Sequence, residues 1–280
     1  LQAVPVENFM HPAFQRFYRA GGGKTEVEQQ VQCSRNDIGG GGVRLSSMHV
    51  SAASFEGGPT APGALMSAFP LFGAKLATST AFATSPAWPA SLGGATVTIR
   101  DSAGSNHTAT ISYASAGQLN YRVPDTVATG LATVTITAGG VSIPGAINVV
   151  SAYPNLFNVG AESLVAGYVL RFRSNGTQST EPVWGVTAAG TITPTPIDLG
   201  ADSDLVYLVL FGTGLGKNAQ VAVSIGGVNL TPAYAGPQGT FTGLDQYNLL
   251  LPRSLAGKGK VGVIITADGR TSNQVNVSIK

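Results

Sequence analysis

Cysteine is almost missing from this chain: Cys33 stands alone among 280 residues. No disulfide can close within it, so the fold must rest on packed cores. Charge is scarce as well. Asp, Glu, Lys and Arg make up 11%, against roughly a quarter of an ordinary soluble domain. The 16 basic and 14 acidic residues leave a net charge of +2. They are scattered, which gives no basic stripe for nucleic acid and no polybasic patch for a membrane surface. The longest apolar run, 205–211, is far short of the roughly 20 residues that cross a bilayer as a helix. The three histidines, His11, His49 and His107, lie far apart and lack the spacing of zinc ligands. No Gly-x-Ser-x-Gly elbow and no Ser-His-Asp order is present. An enzyme is not expected, and no cofactor is called for. The chain begins at Leu1 without an initiator Met or a signal segment, so it is expected to be the mature form of a secreted protein.

What the chain has is turn residues and small β-formers. It carries 37 Gly and 16 Pro beside 43% apolar residues, a composition that suits short strands separated by tight turns. Alternating runs are expected as strands at 65–72, 95–100, 107–113, 118–123, 132–137 and 147–150. A second set follows at 205–211, 220–225, 230–234, 246–251, 260–266 and 274–279. Six strands in about 100 residues fit an immunoglobulin-like sandwich. The two sets also repeat one another in order. Gln118-Leu119-Asn120 with Pro124 matches Gln246-Tyr247-Asn248 with Pro252, Tyr113-Ala114 matches Tyr234-Ala235, and Phe72-Gly73 with Leu76 matches Phe211-Gly212 with Leu215. Several residues in the same order twice point to a duplicated domain. Between the sets, 168–173 alternates, Asn175-Gly176 is a strong hairpin turn signal, and Glu181-Pro182-Val183-Trp184 begins a return.

The expected fold is therefore all-β: two immunoglobulin-like β-sandwich domains joined by a β-hairpin segment, with an extended N-terminal arm. The divisions are an arm at 1–48, a sandwich at 49–151, a connecting hairpin at 152–197 and a second sandwich at 198–280. The arm holds two glycine runs, 21–23 and 39–42, and too few apolar residues for a core of its own.

Several patterns imitate chemical motifs. Gly21-Gly22-Gly23-Lys24-Thr25 resembles the end of a phosphate loop, but Tyr18 stands where that loop needs glycine. Gly212-Thr213-Gly214-Leu215-Gly216-Lys217 imitates a dinucleotide loop with no helix after it. Asp198, Asp202 and Asp204 place three carboxylates within seven residues, the one candidate for a calcium ion, which takes six to eight oxygens; a solvated loop needs no metal. Gln118, Asn120, Gln246 and Asn248 are read as bonding neighbouring backbone. Asn106, Asn175 and Asn229 begin glycosylation sequons. Trp88, Trp184 and Tyr168 would be the sugar platforms of a binding module, or else packing groups.

Residues 50–55 (VSAASF), Ala61-Pro62-Gly63, Gln118-x-Asn120 with Pro124, residues 153–157 (YPNLF), Glu181-Pro182-Val183, residues 196–200 (PIDLG) and residues 208–215 (LVLFGTGL) resemble a C-terminal domain family of secreted proteins from acidobacteria of the Solibacter type. The second half is also similar to IPT/TIG immunoglobulin-like domains, whose first strand ends in a comparable Gly-rich turn. The resemblance spans about 48–280 and implies an extracellular module; it carries no catalytic residues with it. The function expected is a structural subunit of an extracellular bacterial assembly, a filament or surface layer. It would polymerise through the arm, with Leu1, Val4, Val6, Phe9, Phe14 and Phe17 meeting a sandwich edge of another copy by β-augmentation. The alternative is a non-catalytic adhesion or carbohydrate-binding module that contacts polysaccharide or a cell surface.

Overall fold

The computed structural model describes residues 45–84, 87–217 and 219–280. The arm residues Leu1, Val4, Val6, Phe9, Phe14 and Phe17, together with Cys33 and the run 21–25, lie outside them. The described chain is all-β with one short 3-10 turn, Arg253–Leu255, and among the described residues no helix is long and apolar enough to cross a membrane. It divides into two compact units at 150/151. Each is an immunoglobulin-like sandwich.

The first unit contains β1 (Ser47–Ser51), β2 (Leu65–Pro70), β3 (Ala81–Phe82), β4 (Ser91–Leu92), β5 (Ala95–Arg100), β6 (Asn106–Thr108), β7 (Thr110–Ala114), β8 (Leu119–Arg122), β9 (Gly130–Ala138) and β10 (Val141–Val149). One sheet runs β1-β2-β8-β7-β3 and the other β10-β9-β5-β4, with β6 beside β5. Alternation builds the core. Val97, Ile99, Val134, Ile136 and Ile143 of one sheet face Met66, Ala68, Ile111, Leu119 and Tyr121 of the other, while Thr96, Thr98 and Thr135 point away. The expected strand at 107–113 proves to be two. Ala109, fully buried, donates its N–H to Val97 O and ends the pairing with β5, after which β7 crosses to the other sheet beside β8. The arm is also shorter than expected, since its last residues belong to β1.

The second unit contains β11 (Asn155–Leu156), β12 (Asn158–Val159), β13 (Leu164–Val165), β14 (Gly167–Phe172), β15 (Gln178–Pro182), β16 (Trp184–Val186), β17 (Ile192–Pro194), β18 (Leu205–Thr213), β19 (Val221–Ile225), β20 (Val228–Leu230), β21 (Tyr234–Pro237), β22 (Asp245–Leu250), β23 (Gly259–Ala267), β24 (Arg270–Thr271) and β25 (Val275–Ile279). Its sheets run β15-β14-β18-β22-β21 and β12-β13-β25-β23-β19-β20. The segment 152–197, expected as a connection, is part of this unit. Tyr168, Val169, Leu170 and Arg171 are all buried. A strand covered on both faces belongs inside a sheet, and β14 pairs with β15 on one side and β18 on the other.

Strand registers make the repeat explicit. Asn120 lies between Ser67 and Tyr113, and Asn248 lies between Val209 and Tyr234. Gln118 therefore matches Gln246, and Tyr113 matches Tyr234. The same count puts Phe69, rather than Phe72, in the place of Phe211, because the following loop is three residues longer in the first unit. In the other sheet, Val97–Ile136 and Ile99–Val134 correspond to Val223–Ile265 and Ile225–Val263. Each unit also has a residue bridged in parallel to its last strand, Thr60 to Val149 and Ile197 to Ile279. The turn Gly139-Gly140 has both φ values positive, at 57° and 81°, as a two-residue type I′ hairpin requires. Asp268-Gly269 does the same work in the second unit, at 48° and 76°.

Candidate functional site

Most polar side chains in this fold are committed to holding loops and strands, and three clusters stand out. The first surrounds His49 on β1. Ser47 and His49, two apart on a strand, point the same way. The Tyr121 hydroxyl donates to His49 Nδ1 at 3.0 Å. His49 Nε2 and Ser47 Oγ are 3.0 Å apart, and Ser47 Oγ donates to Pro144 O at 3.3 Å. A neutral ring protonated at Nε2 satisfies the whole chain. Burial holds the His49 pKa down to about 4 and pushes the Tyr121 hydroxyl far up. Ser47 and His49 are 2% and 8% exposed, so this serine-histidine pair is buried between its own strands.

The second cluster is centred on Asp101, also buried. Its Oδ1 accepts N–H from Ala103 and Ser105 at 3.0 and 2.9 Å. Its Oδ2 accepts from Ala128 N at 3.1 Å and His107 Nε2 at 2.8 Å, and His107 Nδ1 meets Thr126 Oγ1 at 3.1 Å. The Ala128 N–H, then His107, hold the carboxyl down to about 2. Asp101 thus ties the turn after β5 to the loop after β8, a turn-organising role.

The third cluster gathers the proposed calcium ligands and disperses them among cations. Asp204 Oδ2 pairs with Arg171 Nη1 at 3.3 Å, Asp198 Oδ2 with Lys280 at 3.1 Å, and Asp202 with Arg253 at 3.9 Å. Arg171 also donates to both oxygens of Glu181, at 2.6 and 2.9 Å, and to Asp198 O. Its side chain is only 5% exposed. Glu181, hydrogen-bonded by that guanidinium, is held below the usual carboxylate range. Arg253 donates to the carbonyls of Leu199, Gly200, Ala201 and Asp204. Two guanidinium groups thus occupy the oxygen-lined loop 198–204 where a calcium ion would have to sit. Among the described residues no group of three or more His, Cys, Asp and Glu is placed to hold a metal ion.

The remaining sequence candidates resolve as follows. Gln118 Nε2 donates to Asn120 Oδ1 at 2.9 Å, and Gln246 Nε2 to Asn248 Oδ1 at 2.8 Å, the same bond in both units. Gly212 lies in β18 and Leu215 N–H is bound by Asp245, so the Gly-rich run is a strand exit. The sequon asparagines 106, 175 and 229 are exposed. Tyr168 and Trp184 are buried, which removes them as sugar platforms. An aromatic pair that the sequence reading did not single out, Phe82 and Tyr113, lies across β3 and β7 with ring centroids 4.9 Å apart. Phe82 is 49% exposed. The signal for the His49 cluster was the Ser-x-His alternation on a strand; its partner Tyr121 is 72 residues away and left none.

No protein-family model matches the chain, and no curated protein sequence matches it. Solved structures to which it is similar include a tetra-tandem repeat from the extending region of a large adhesion protein, with 16% identity over 84% of this chain and 74% of that one and a TM-score of 0.22. Bovine butyrophilin shares 10% identity over 84% of this chain and 99% of its own, with a TM-score of 0.24. The titin immunoglobulin tandem A164-A165 shares 9% over 84% and 96%, with a TM-score of 0.21.

Proposed function

We propose that the chain is a non-catalytic structural subunit of an extracellular assembly, in which copies join through the segment that precedes β1. The observation that carries this reading is where the polar groups go. The buried histidine, the buried carboxylate and the buried guanidinium each hold strands or loops of their own unit, and the Gln–Asn bond recurs in both sandwiches. Such a molecule is a spacer. Several sheet edges support the same reading, because they are shielded from pairing with one another. On β10, Pro144 lacks an N–H, while Pro144 O and Asn148 O already accept from Ser46 and Thr60. The edge strand β15 ends at Pro182, and β3, β4 and β12 have two residues each. Contact between copies then falls to the residues before Ser47, with Leu1, Val4, Val6, Phe9, Phe14 and Phe17 as its apolar groups. The extracellular setting rests on the low charge and on the resemblance to the Solibacter-type secreted domains. Negative-stain electron microscopy of the purified chain tests the reading: filaments or arrays are expected, and uniformly single particles count against it.

One observation favours a second reading, an adhesion module for polysaccharide. The Phe82–Tyr113 pair, with Phe82 exposed and Tyr113 half-buried, offers a ring surface on which a sugar can stack. Retention on insoluble polysaccharide that is lost in Phe82→Ala is the outcome this reading requires.

A further inference from the structure

We propose that β1 is an exchangeable strand: in acid, Ser47–Ser51 leaves its own sheet, and on return to neutrality it takes the same place in a second copy of the chain. The strand lies at the edge of β1-β2-β8-β7-β3 and pairs along its length with β2 alone. Its remaining fastenings are the Ser46 N–H just before it, which donates to Pro144 O, the buried Val50, and two side chains. His49 reaches Tyr121 of β8, and Ser47 reaches Pro144 of β10. The imidazole lies over Gly145, where any Cβ would come within 2.1 Å of Nε2, so the sheet opposite has been cut away to receive it.

Protonation undoes this fit. Nδ1 changes from acceptor to donor, and the Tyr121 hydroxyl that donates to it must turn away. The groups placed against the ring are Ser47 on its own strand, Ala68 of β2, Tyr121 of β8 and Gly145 of β10. None is a carboxylate that would compensate a buried imidazolium, and burial alone sets the low His49 pKa. The connection after β1 can absorb the movement. It holds Phe55 at a positive φ of 59° and the pair Gly57-Gly58 before Thr60 is anchored to Val149. Eight residues, 52–59, extend to about 26 Å.

The occupant is a second copy because the vacated place is shaped for Ser-x-His: a notch at Gly145, the Tyr121 hydroxyl and the Pro144 carbonyl, in register with Ala68. Exchange of identical elements between copies is a low-cost route to association. The second unit supplies an internal contrast. Gly167 stands where His49 stands, opposite Leu210, and β14 is braced on its outer side by β15. Exchange is therefore confined to the first unit. The inference does not depend on assembly through the segment before β1, which is read at neutral pH, whereas exchange is read after acid.

The test holds a mixture of unlabelled and 15N-labelled full chain near pH 3.5, below the His49 value of about 4, and returns it to neutrality. Native mass spectrometry is expected to find persistent mixed-label dimers or larger species in excess of those in a mixture kept at neutral pH throughout, with the β-sheet circular dichroism retained in acid. His49→Gln is expected to form at least tenfold less mixed species. In a Cys33→Ser background, an oxidised disulfide joining Ser51→Cys to Met66→Cys, which face each other across β1 and β2, is expected to abolish exchange that its reduced form still shows. Absence of mixed species in the wild type overturns the proposal. So does equal exchange by His49→Gln or by the oxidised variant, or loss of the sheet signal in acid.

Discussion

Two buried tyrosines should respond in opposite directions to the same substitution. Tyr121 and Tyr247 are 1% and 0% exposed and lie on the core faces of the equivalent strands β8 and β22. The Tyr121 hydroxyl donates to His49 Nδ1 at 3.0 Å. The Tyr247 hydroxyl is buried without a hydrogen-bond partner, and its pKa is pushed well up by burial and then by the nearby Asp245 charge. An unpaired buried hydroxyl costs about 1–3 kcal/mol. Tyr247→Phe keeps the ring, which is tightly held where a Cβ on Gly212 would sit 3.1 Å from Cε2, and removes the orphan; it should stabilise by about 1 kcal/mol. Tyr121→Phe leaves a buried acceptor unpaired and should cost about 1–2 kcal/mol. For a unit of this size each kcal/mol moves the melting temperature by about 4 °C. Urea and thermal unfolding of the two variants beside the parent read the difference. If Tyr247→Phe destabilises as much as Tyr121→Phe, burial without a partner has been wrongly assigned to that hydroxyl.

Arg171→Met should destabilise the second unit by about 2–3 kcal/mol, at the low end for a buried pair because Glu181 is a third exposed; urea unfolding with Glu181→Gln in a double-mutant cycle should show coupling between the two. The Glu181 carboxyl is held down in the folded state, so its contribution is present at neutral pH and lost as pH falls through its folded value, a loss that Arg171→Met should not show. His49 runs the other way from a histidine paired with a carboxylate: its folded value of about 4 lies below the ordinary 6.5, the unfolded chain takes up the proton first, and stability falls by about 3 kcal/mol between pH 7 and 4. Stability measured against pH should be flatter over that window in His49→Gln. Gly167→Ala would place a Cβ 2.2 Å from Val209 O, a backbone atom that cannot turn aside, and should cost at least about 2–3 kcal/mol by thermal unfolding.

The duplication was legible because the residues that mark it, Gln-x-Asn and Tyr-Ala, occupy fixed pairing positions in a central strand and its neighbour, so order along the chain survives as order in the sheet. The Asn175-Gly176 hairpin was legible from its turn chemistry, with Gly176 at φ 81°. What escaped the sequence is long-range. Whether 168–173 braces two domains or completes one sheet depends on β18, a partner more than 30 residues on, and local alternation is the same in both cases. The carboxylates at 198–204 were visible, but the cations that answer them were not: Arg171 comes from 33 residues before Asp204, and Arg253 from 54 after Leu199. At Ala109 one alternating run changes sheets without any Gly or Pro to mark the corner. Phe72 and Phe211 look alike in order, yet loop length shifts the register, and only the pairing of Asn120 and Asn248 reveals it.

Sedimentation velocity at neutral pH, run side by side on the full chain and on residues 43–280, tests the structural-subunit account most directly. The account expects the full chain to sediment as a concentration-dependent series of oligomers and the shortened chain, with both sandwiches and every strand from β1 onward intact, as a monomer. A full chain that stays monomeric, or a shortened one that assembles equally well, would contradict it.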